Sequence, residues 1–245
     1  MKVLGSFLFL YISLASLSAD EKTEESKWKL FAEAGYGRVW TSIPTSRLYA
    51  RIFQNTYDDA TLFRPQMAYP SLVLPAKTQL QHIVSVWKLG FEYQAFTSLS
   101  FNFFLGHTHT QTSSKNQDLK NRYRWISFAL WQEETLNNLV RGSNYIDAEF
   151  RAIQPFYNVG VGSNWYPLET WTVSPYLGAK LSGGSCTSGR GCNAFLTSLQ
   201  GGVHKEFSML DIYMELSAIY VQSSYELFTN RSQGYVFTIG VKSKL

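Results

Sequence analysis

The sequence predicts an all-β fold, an eight-stranded antiparallel up-and-down transmembrane β-barrel with long extracellular loops and short periplasmic turns. Three observations carry this expectation. Eight stretches alternate apolar with polar residues, the connections between them alternate long with very short, and the apolar face stays continuous and aromatic from one stretch to the next. Alternation at period two marks a strand with one apolar and one polar side. A soluble sandwich reads like this locally. Here, however, the opposite face carries charges and glycines, poor material for a dry soluble core but suited to the interior of a membrane barrel.

The 245 residues suffice for one domain of ordinary size. Residues 1–19 read as a secretory signal: Lys2 gives the positive start, Val3 to Leu17 is apolar but short for a bilayer, and the small residues Ser16, Ser18 and Ala19 follow. Cleavage falls after Ser18 or after Ala19, and an N-terminal membrane anchor is the competing reading of the same run. No cysteine lies near this site, which excludes a lipid-modified N-terminus. Residues 20–27 then form a periplasmic N-terminal segment and 28–245 the barrel domain. Beyond residue 19 there is no apolar run of about 18 residues, so spanning helices are not expected. An exported chain without them has one membrane solution, since only a closed barrel satisfies every backbone hydrogen bond in lipid without helices. The formal charge of +4 is mild, and no basic face with interleaved aromatics points to a nucleic-acid partner.

The first strand is expected over Trp28 to Thr41, with Leu30, Ala32, Ala34 and Tyr36 opposite Glu33, Gly35 and Gly37. Ile83 to Leu105 holds the second and third, turning at Thr97 and Ser98. Trp87, Leu89, Phe91, Tyr93 and Ala95 oppose Lys88, Glu92 and Gln94, and Leu99, Phe101, Phe103 and Leu105 oppose Ser100, Asn102, Gly106 and Thr108. A fourth, from Ala148 to Trp165, sets Tyr157, Val159, Val161 and Trp165 against Gln154, Asn158, Gly160, Gly162 and Asn164. Pro167 to Glu169 turn the chain into a fifth strand, Thr170 to Leu181, with Trp171, Val173, Leu177 and Ala179 outward and Thr172, Ser174, Tyr176, Gly178 and Lys180 inward. Its Pro175 is a weak point, because proline cannot donate to a ladder. The sixth, Ala194 to Phe207, turns Leu199, Gly201 and Val203 outward and Ser198, Gln200, Gly202, His204 and Glu206 inward. The seventh, Leu210 to Val221, opposes Ile212, Met214, Leu216, Ala218 and Tyr220 to Asp211, Tyr213, Glu215 and Ser217. The eighth faces Tyr235, Phe237, Ile239 and Val241 to lipid and Thr238 and Gly240 inward.

An even number of antiparallel hairpins puts both chain ends on one side, the periplasm in a bacterial outer membrane. The tight turns at Thr97, Pro167 and Ser208 share that side. Residues 42–80, 112–147, 182–193 and 222–233 are then extracellular connections. Trp28, Trp40, Trp87, Trp165 and Trp171 fall at or near strand ends, where an aromatic girdle straddles hydrocarbon and headgroup. Ordinary aromatic packing explains any one of them, and the set favours the girdle.

The signal, a first strand reading FAEAGYG, a fifth reading WTVSPYLGAKL and a last reading YVFTIGV together resemble the small eight-stranded outer-membrane barrels of Gram-negative-type bacteria, such as the OmpA barrel domain, OmpX, OmpW and opacity-like proteins. The resemblance covers the mature chain and reflects shared architecture. One departure is the C-terminal aromatic residue usual in such barrels, which Lys242, Ser243, Lys244 and Leu245 replace unless Phe237 serves in its place.

Eight strands leave an interior just wide enough to be filled by side chains, so the lumen is expected to be a polar plug. Glu33, Lys88, Glu92, Lys180, His204 and Glu215 project into it, and Lys88 and Lys180 with Glu33, Glu92 and Glu215 are expected to form a charge network. The competing reading is a narrow water path lined by the same charges. His107 and His109 share a face but lack a carboxylate or cysteine on that strand, so they read as rim residues and no metal ligand is assigned. Lipid A deacylases resemble this chain in size, but their His-x-Ser element is absent, as is a phospholipase His-x-Asp-Ser-Asn element; no catalytic residue and no cofactor is expected. Cys186 and Cys192 in SGGSCTSGRGC are expected to form a disulfide that tightens a loop. Loops 42–80 and 112–147 carry aromatic and arginine residues suited to contact with a host or envelope protein or, equally, to packing over the barrel rim, while the barrel contacts outer-membrane lipid and lipopolysaccharide. The expected function is surface display from the bacterial cell outer membrane, with a narrow channel or small hydrophobic-solute conduit as the alternative.

Overall fold

In the computed structural model the described residues are 27–44, 77–112, 153, 155–168, 171–187, 192–207, 210–225 and 228–245. They form eight strands: β1 Trp28–Pro44, β2 Lys77–Phe96, β3 Leu99–Thr112, β4 Phe156–Trp165, β5 Ser174–Cys186, β6 Asn193–Glu206, β7 Leu210–Tyr225 and β8 Phe228–Lys244. Each pairs antiparallel with its successor, and β8 pairs with β1 from Lys29↔Lys244 to Thr41↔Ser232, closing the barrel. Closure leaves no edge strand, and so no row of unpaired backbone groups to face lipid.

Period two decides which side chains face out. On β3, Phe101, Phe103 and Leu105 are 41%, 50% and 60% exposed while Ser100 and Asn102 between them are buried. The same alternation holds along β7, where Ile212, Met214 and Leu216 are exposed and Asp211, Tyr213 and Glu215 are buried. The exterior of the barrel is thus an apolar band, which water would not tolerate at this extent and lipid requires.

Several boundaries differ from the sequence expectation. The fifth strand starts at Ser174, because Trp171 to Val173 belong to the turn: Trp171 N–H donates to Leu168 O at 3.4 Å and Ser174 Oγ to Trp171 O at 3.0 Å. Pro175 follows immediately and lies beyond the end of β4, whose last pair is Trp165↔Leu177, so its missing N–H costs no β4 bond. The start of the fourth strand at Ala148 lies outside the described residues, and β4 is seen from Phe156. The fourth connection is not long. Strands β7 and β8 continue to a last pair at Tyr225↔Phe228, and only residues 226 and 227 join them. There the side chains on both faces are polar, Gln222, Ser223, Ser224, Thr229 and Asn230, so no apolar alternation betrays the strand. The third connection likewise narrows to residues 187–192. The expected signal segment, residues 20–26 and most of loops 42–80 and 112–147 lie outside the described residues.

Because a slip of one residue would exchange the two faces, Phe101→Arg should cost about 2–4 kcal/mol on refolding into lipid bilayers. A measured cost near zero would place Phe101 off the lipid face.

Candidate functional site

The lumen is divided along its length. Toward the turns it is charged; toward the loops it is mainly apolar, with Thr41, Thr78, His82, Thr108 and Ser232 buried among the apolar side chains. The apolar half collects Val39, Val84, Val86, Phe156, Leu196, Ile219, Val221 and Val236, all buried, with Ile153 packed among them. This corrects the expectation of a polar lumen throughout. The sign was present in the sequence, where Ile83-Val84, Ile219-Tyr220-Val221 and Tyr235-Val236-Phe237 are apolar on consecutive residues and hence on both faces.

In the charged half, Lys180 on β5 reaches across the barrel. Its Nζ donates to Glu33 Oε2 on β1 and to Glu215 Oε1 on β7, each at 3.0 Å. Lys88, the ladder partner of Glu33, donates to Glu33 Oε1. The remaining lone pairs are met by phenols and a hydroxyl: Tyr213 Oη donates to Glu33 Oε2 at 2.8 Å, Tyr176 Oη to Glu215 Oε2 at 3.0 Å and Ser217 Oγ to Glu215 Oε1 at 3.0 Å. Space for these rings comes from glycine. A Cβ on Gly240 would lie 2.2 Å from the Tyr213 ring, and one on Gly202 2.8 Å from that of Tyr176.

Glu92 stands apart from the other members of the expected network. It pairs instead with Lys242, whose Nζ lies 2.5 Å from Glu92 Oε2 and donates to Tyr166 Oη at 3.0 Å, while Tyr166 Oη donates to Glu92 Oε1 at 2.8 Å. Three rings surround the ammonium: Tyr213, Tyr166 and Tyr176 centroids are 5.0, 5.6 and 5.9 Å from it, distances at which the faces of the rings attract a cation. Lys242 escapes notice when the chain is read as ending its last strand at Val241, yet the inward series Thr238, Gly240 continues to it. Two clusters therefore replace the single expected network. Lys88, Lys180 and Lys242 balance Glu33, Glu92 and Glu215.

At the turn end, Lys29 Nζ donates to Glu206 Oε1 at 2.8 Å and Asp211 Oδ2 at 2.7 Å. Between the clusters, the void bounded by Glu33, Glu92, Lys180, Glu215 and Lys242 holds about 10 Å³, room for roughly one water and not for a file of them. A far larger concavity, about 1060 Å³, is lined by Phe101, Val161, Leu199 and Tyr235, side chains that the register sends outward, and belongs to the apolar exterior.

The five tryptophans expected in the girdle lie on the outer surface. Trp28 packs on Tyr93 at 4.8 Å, and Trp165 and Trp171 are exposed at the same, turn end. Trp40 packs on Tyr235 at 5.2 Å toward the loops. Trp87 sits well inside β2, but the outward positions beyond it toward the loops include Gln79, Gln81 and Ser85, so it stands at the border of the apolar band. His107 lies beside it on that face, 5.9 Å from Trp87, 4.6 Å from Tyr157 and 6.3 Å from His109 between ring centroids, in an aromatic surrounding. Cys186 and Cys192 are joined in a disulfide, Cα atoms 5.3 Å apart, across the loop end of β5 and β6.

No family model matches the chain, and no curated protein does. Among solved structures the barrel is similar to Neisserial surface protein A, at 10% identity and a TM-score of 0.43 over 90% of this chain and 98% of that one. It is similar also to the outer membrane protein AlkL, at 8% identity and a TM-score of 0.39 over 92% and 95% of the two chains. A third is the outer membrane protein OprG from Pseudomonas aeruginosa, at 8% and 0.38 over 90% and 97%. At these TM-scores the likenesses carry no argument, and the eight-stranded assignment here rests on the strand pairing itself.

Lys180→Met would leave Glu33 and Glu215 facing each other across a confined interior. It should cost about 3–5 kcal/mol in thermal or denaturant unfolding. Glu92→Gln and Lys242→Met should each destabilise, and the double variant should lose less than their sum, a coupling that a double-mutant cycle reads directly.

Proposed function

We propose that the protein is a bacterial outer-membrane barrel that acts as a rigid anchor for surface display. The observation that supports this best is the charge-balanced floor of the lumen, three lysines against three glutamates with space for about one water between them. A barrel filled in this way holds its strands in fixed register while its loops do the recognition. By this reading the turn end is periplasmic, the loop end extracellular, and Trp28, Trp165 and Trp171 on one border and Trp40 and Trp87 on the other form the aromatic girdle. Residues 1–19 are a signal removed on export. Loops 42–80 and 112–147 contact host or envelope components, through Tyr49, Phe53, Tyr57 and Arg51 in the first and Trp125 and Phe128 in the second, residue types favoured at binding surfaces. Outer-membrane lipid and lipopolysaccharide cover the band. The reading assigns no catalytic role.

A second reading is supported by one observation, the apolar loop-side half of the lumen. As a conduit for small hydrophobic solutes, the barrel would receive them there. Passage through the floor would then require the Lys180 bridge to open.

Planar bilayers separate the two. The anchor reading expects no discrete conductance steps from the wild-type barrel, and regular single-channel steps would replace it with the conduit. The extracellular position of the loops is tested on intact cells, where added protease is expected to cut within 42–80 or 112–147 and to spare the turns at Thr97 and Ser208. Cutting at those turns would invert the orientation. Reduction of Cys186–Cys192 should leave the barrel folded with a loss of about 2 kcal/mol, the value for so short a loop, read as a shift in unfolding midpoint.

A further inference from the structure

His204, Glu206 and Asp211 form a group at the turn end of the lumen that neither charge cluster uses. His204 and Glu206 are two apart on β6 and share its inward face, and Asp211 is the ladder partner of Glu206 across the β6–β7 turn. One ligand atom from each of the three lies within 4.8 Å of the others. His204 is only 9% exposed, and neither of its ring nitrogens has a hydrogen-bond partner. Its ring is held against Tyr166, centroids 4.9 Å apart, which fixes where the nitrogens point. A neutral imidazole carries one donor and one acceptor, and burying both unmet is costly. A cation already stands between the carboxylates, the Lys29 ammonium at 2.8 and 2.7 Å.

We propose that His204, Glu206 and Asp211 form a binding site for a divalent transition-metal ion of the zinc class, in which the Lys29 ammonium is the resident cation that the metal displaces. One imidazole nitrogen with two carboxylates is a donor set for zinc and its neighbours, whereas calcium and magnesium take oxygen alone. Bonds of about 2.0–2.2 Å to a tetrahedral ion bring donors closer together than 4.8 Å, so the group must contract on binding. Glu206 is the arm able to do so: its side chain is 54% exposed, against 2% for Asp211. Lys29 lies one residue from the turn end of β1 and can turn out to solvent when the metal enters. Lys242, the nearest cation on the inner side, is already compensated by Glu92. Three protein ligands leave the fourth position to water. The inference does not depend on the display reading, since it concerns only the β6–β7 turn and β1.

The test is titration of the refolded full-length chain in detergent micelles with Zn²⁺ by calorimetry and with Co²⁺ by visible absorption. One saturable equivalent is expected, with cobalt ligand-field bands showing nitrogen and oxygen donors. Glu206→Gln, at a position 54% exposed, should weaken binding by about tenfold or more, and His204→Gln should do the same and alter the cobalt bands. Lys29→Met, which removes the competing charge, should tighten it. Lack of one-site binding by the wild-type chain overturns the proposal. So does binding that survives unchanged in both Glu206→Gln and His204→Gln, which would place the metal at another group such as His107 and His109.

Discussion

Much of this structure depends on one ammonium group held between two carboxylates that belong to distant parts of the chain. Lys180 on β5 touches Glu33 on β1 and Glu215 on β7, so the contact exists only when the sheet has curled on itself. Each of these ions would be expensive to keep unpaired away from water, and their pairing recovers that expense only with good geometry and every lone pair met. Tyr213, Tyr176 and Ser217 meet them. The bridge is therefore better understood as a condition on closure than as a source of net stability. A sheet closed in another register would bury the same charges without their partners.

The second cluster repeats the logic with a different stem. Lys242 joins the last strand to Glu92 on β2 across β1, beside the seam where β8 meets β1. Tyr166, from the turn after β4, contributes its hydroxyl to both members of the pair and its ring to the cation. Above these clusters the lumen changes to Val39, Val84, Leu196, Val221 and their neighbours, where dispersion and exclusion of water hold the strands and no charge needs a partner. The barrel thus has a specifying half and a filling half.

Much of this was legible in the sequence, and the parts that were not have physical reasons. The facing of Phe101, Asn102, Ile212 and Asp211 follows from period two, and the inward position of Lys180 and Glu215 follows with it. Which glutamate meets which lysine does not follow, because partnership depends on the stagger between strands far apart in the chain; hence periodicity alone places Glu92 in one network with Lys88 and Lys180, whereas its partner is Lys242. The apolar half of the lumen is hidden from a reading that assigns apolar residues to the lipid face alone, because there they run consecutively and occupy both faces. The extension of β7 and β8 to Tyr225 and Phe228 is hidden for the opposite reason, since beyond the apolar band both faces are polar and alternation disappears. Asp211 and His204 each read as inward, but only the ladder pairing Glu206↔Asp211 and the reach of Lys29 bring them to one place.

Among the described residues the strands differ in length. β1, β2, β7 and β8, adjacent around the ring, have 17, 20, 16 and 17 residues, whereas β4 on the far side has 10. On the tall side Ser42, Gln79, Arg231 and Gln233 present an exposed polar surface on paired, rigid backbone. Among the described residues, the longest run of paired and therefore rigid wall thus lies on both sides of the β8–β1 seam, where the first and last strands of the chain meet.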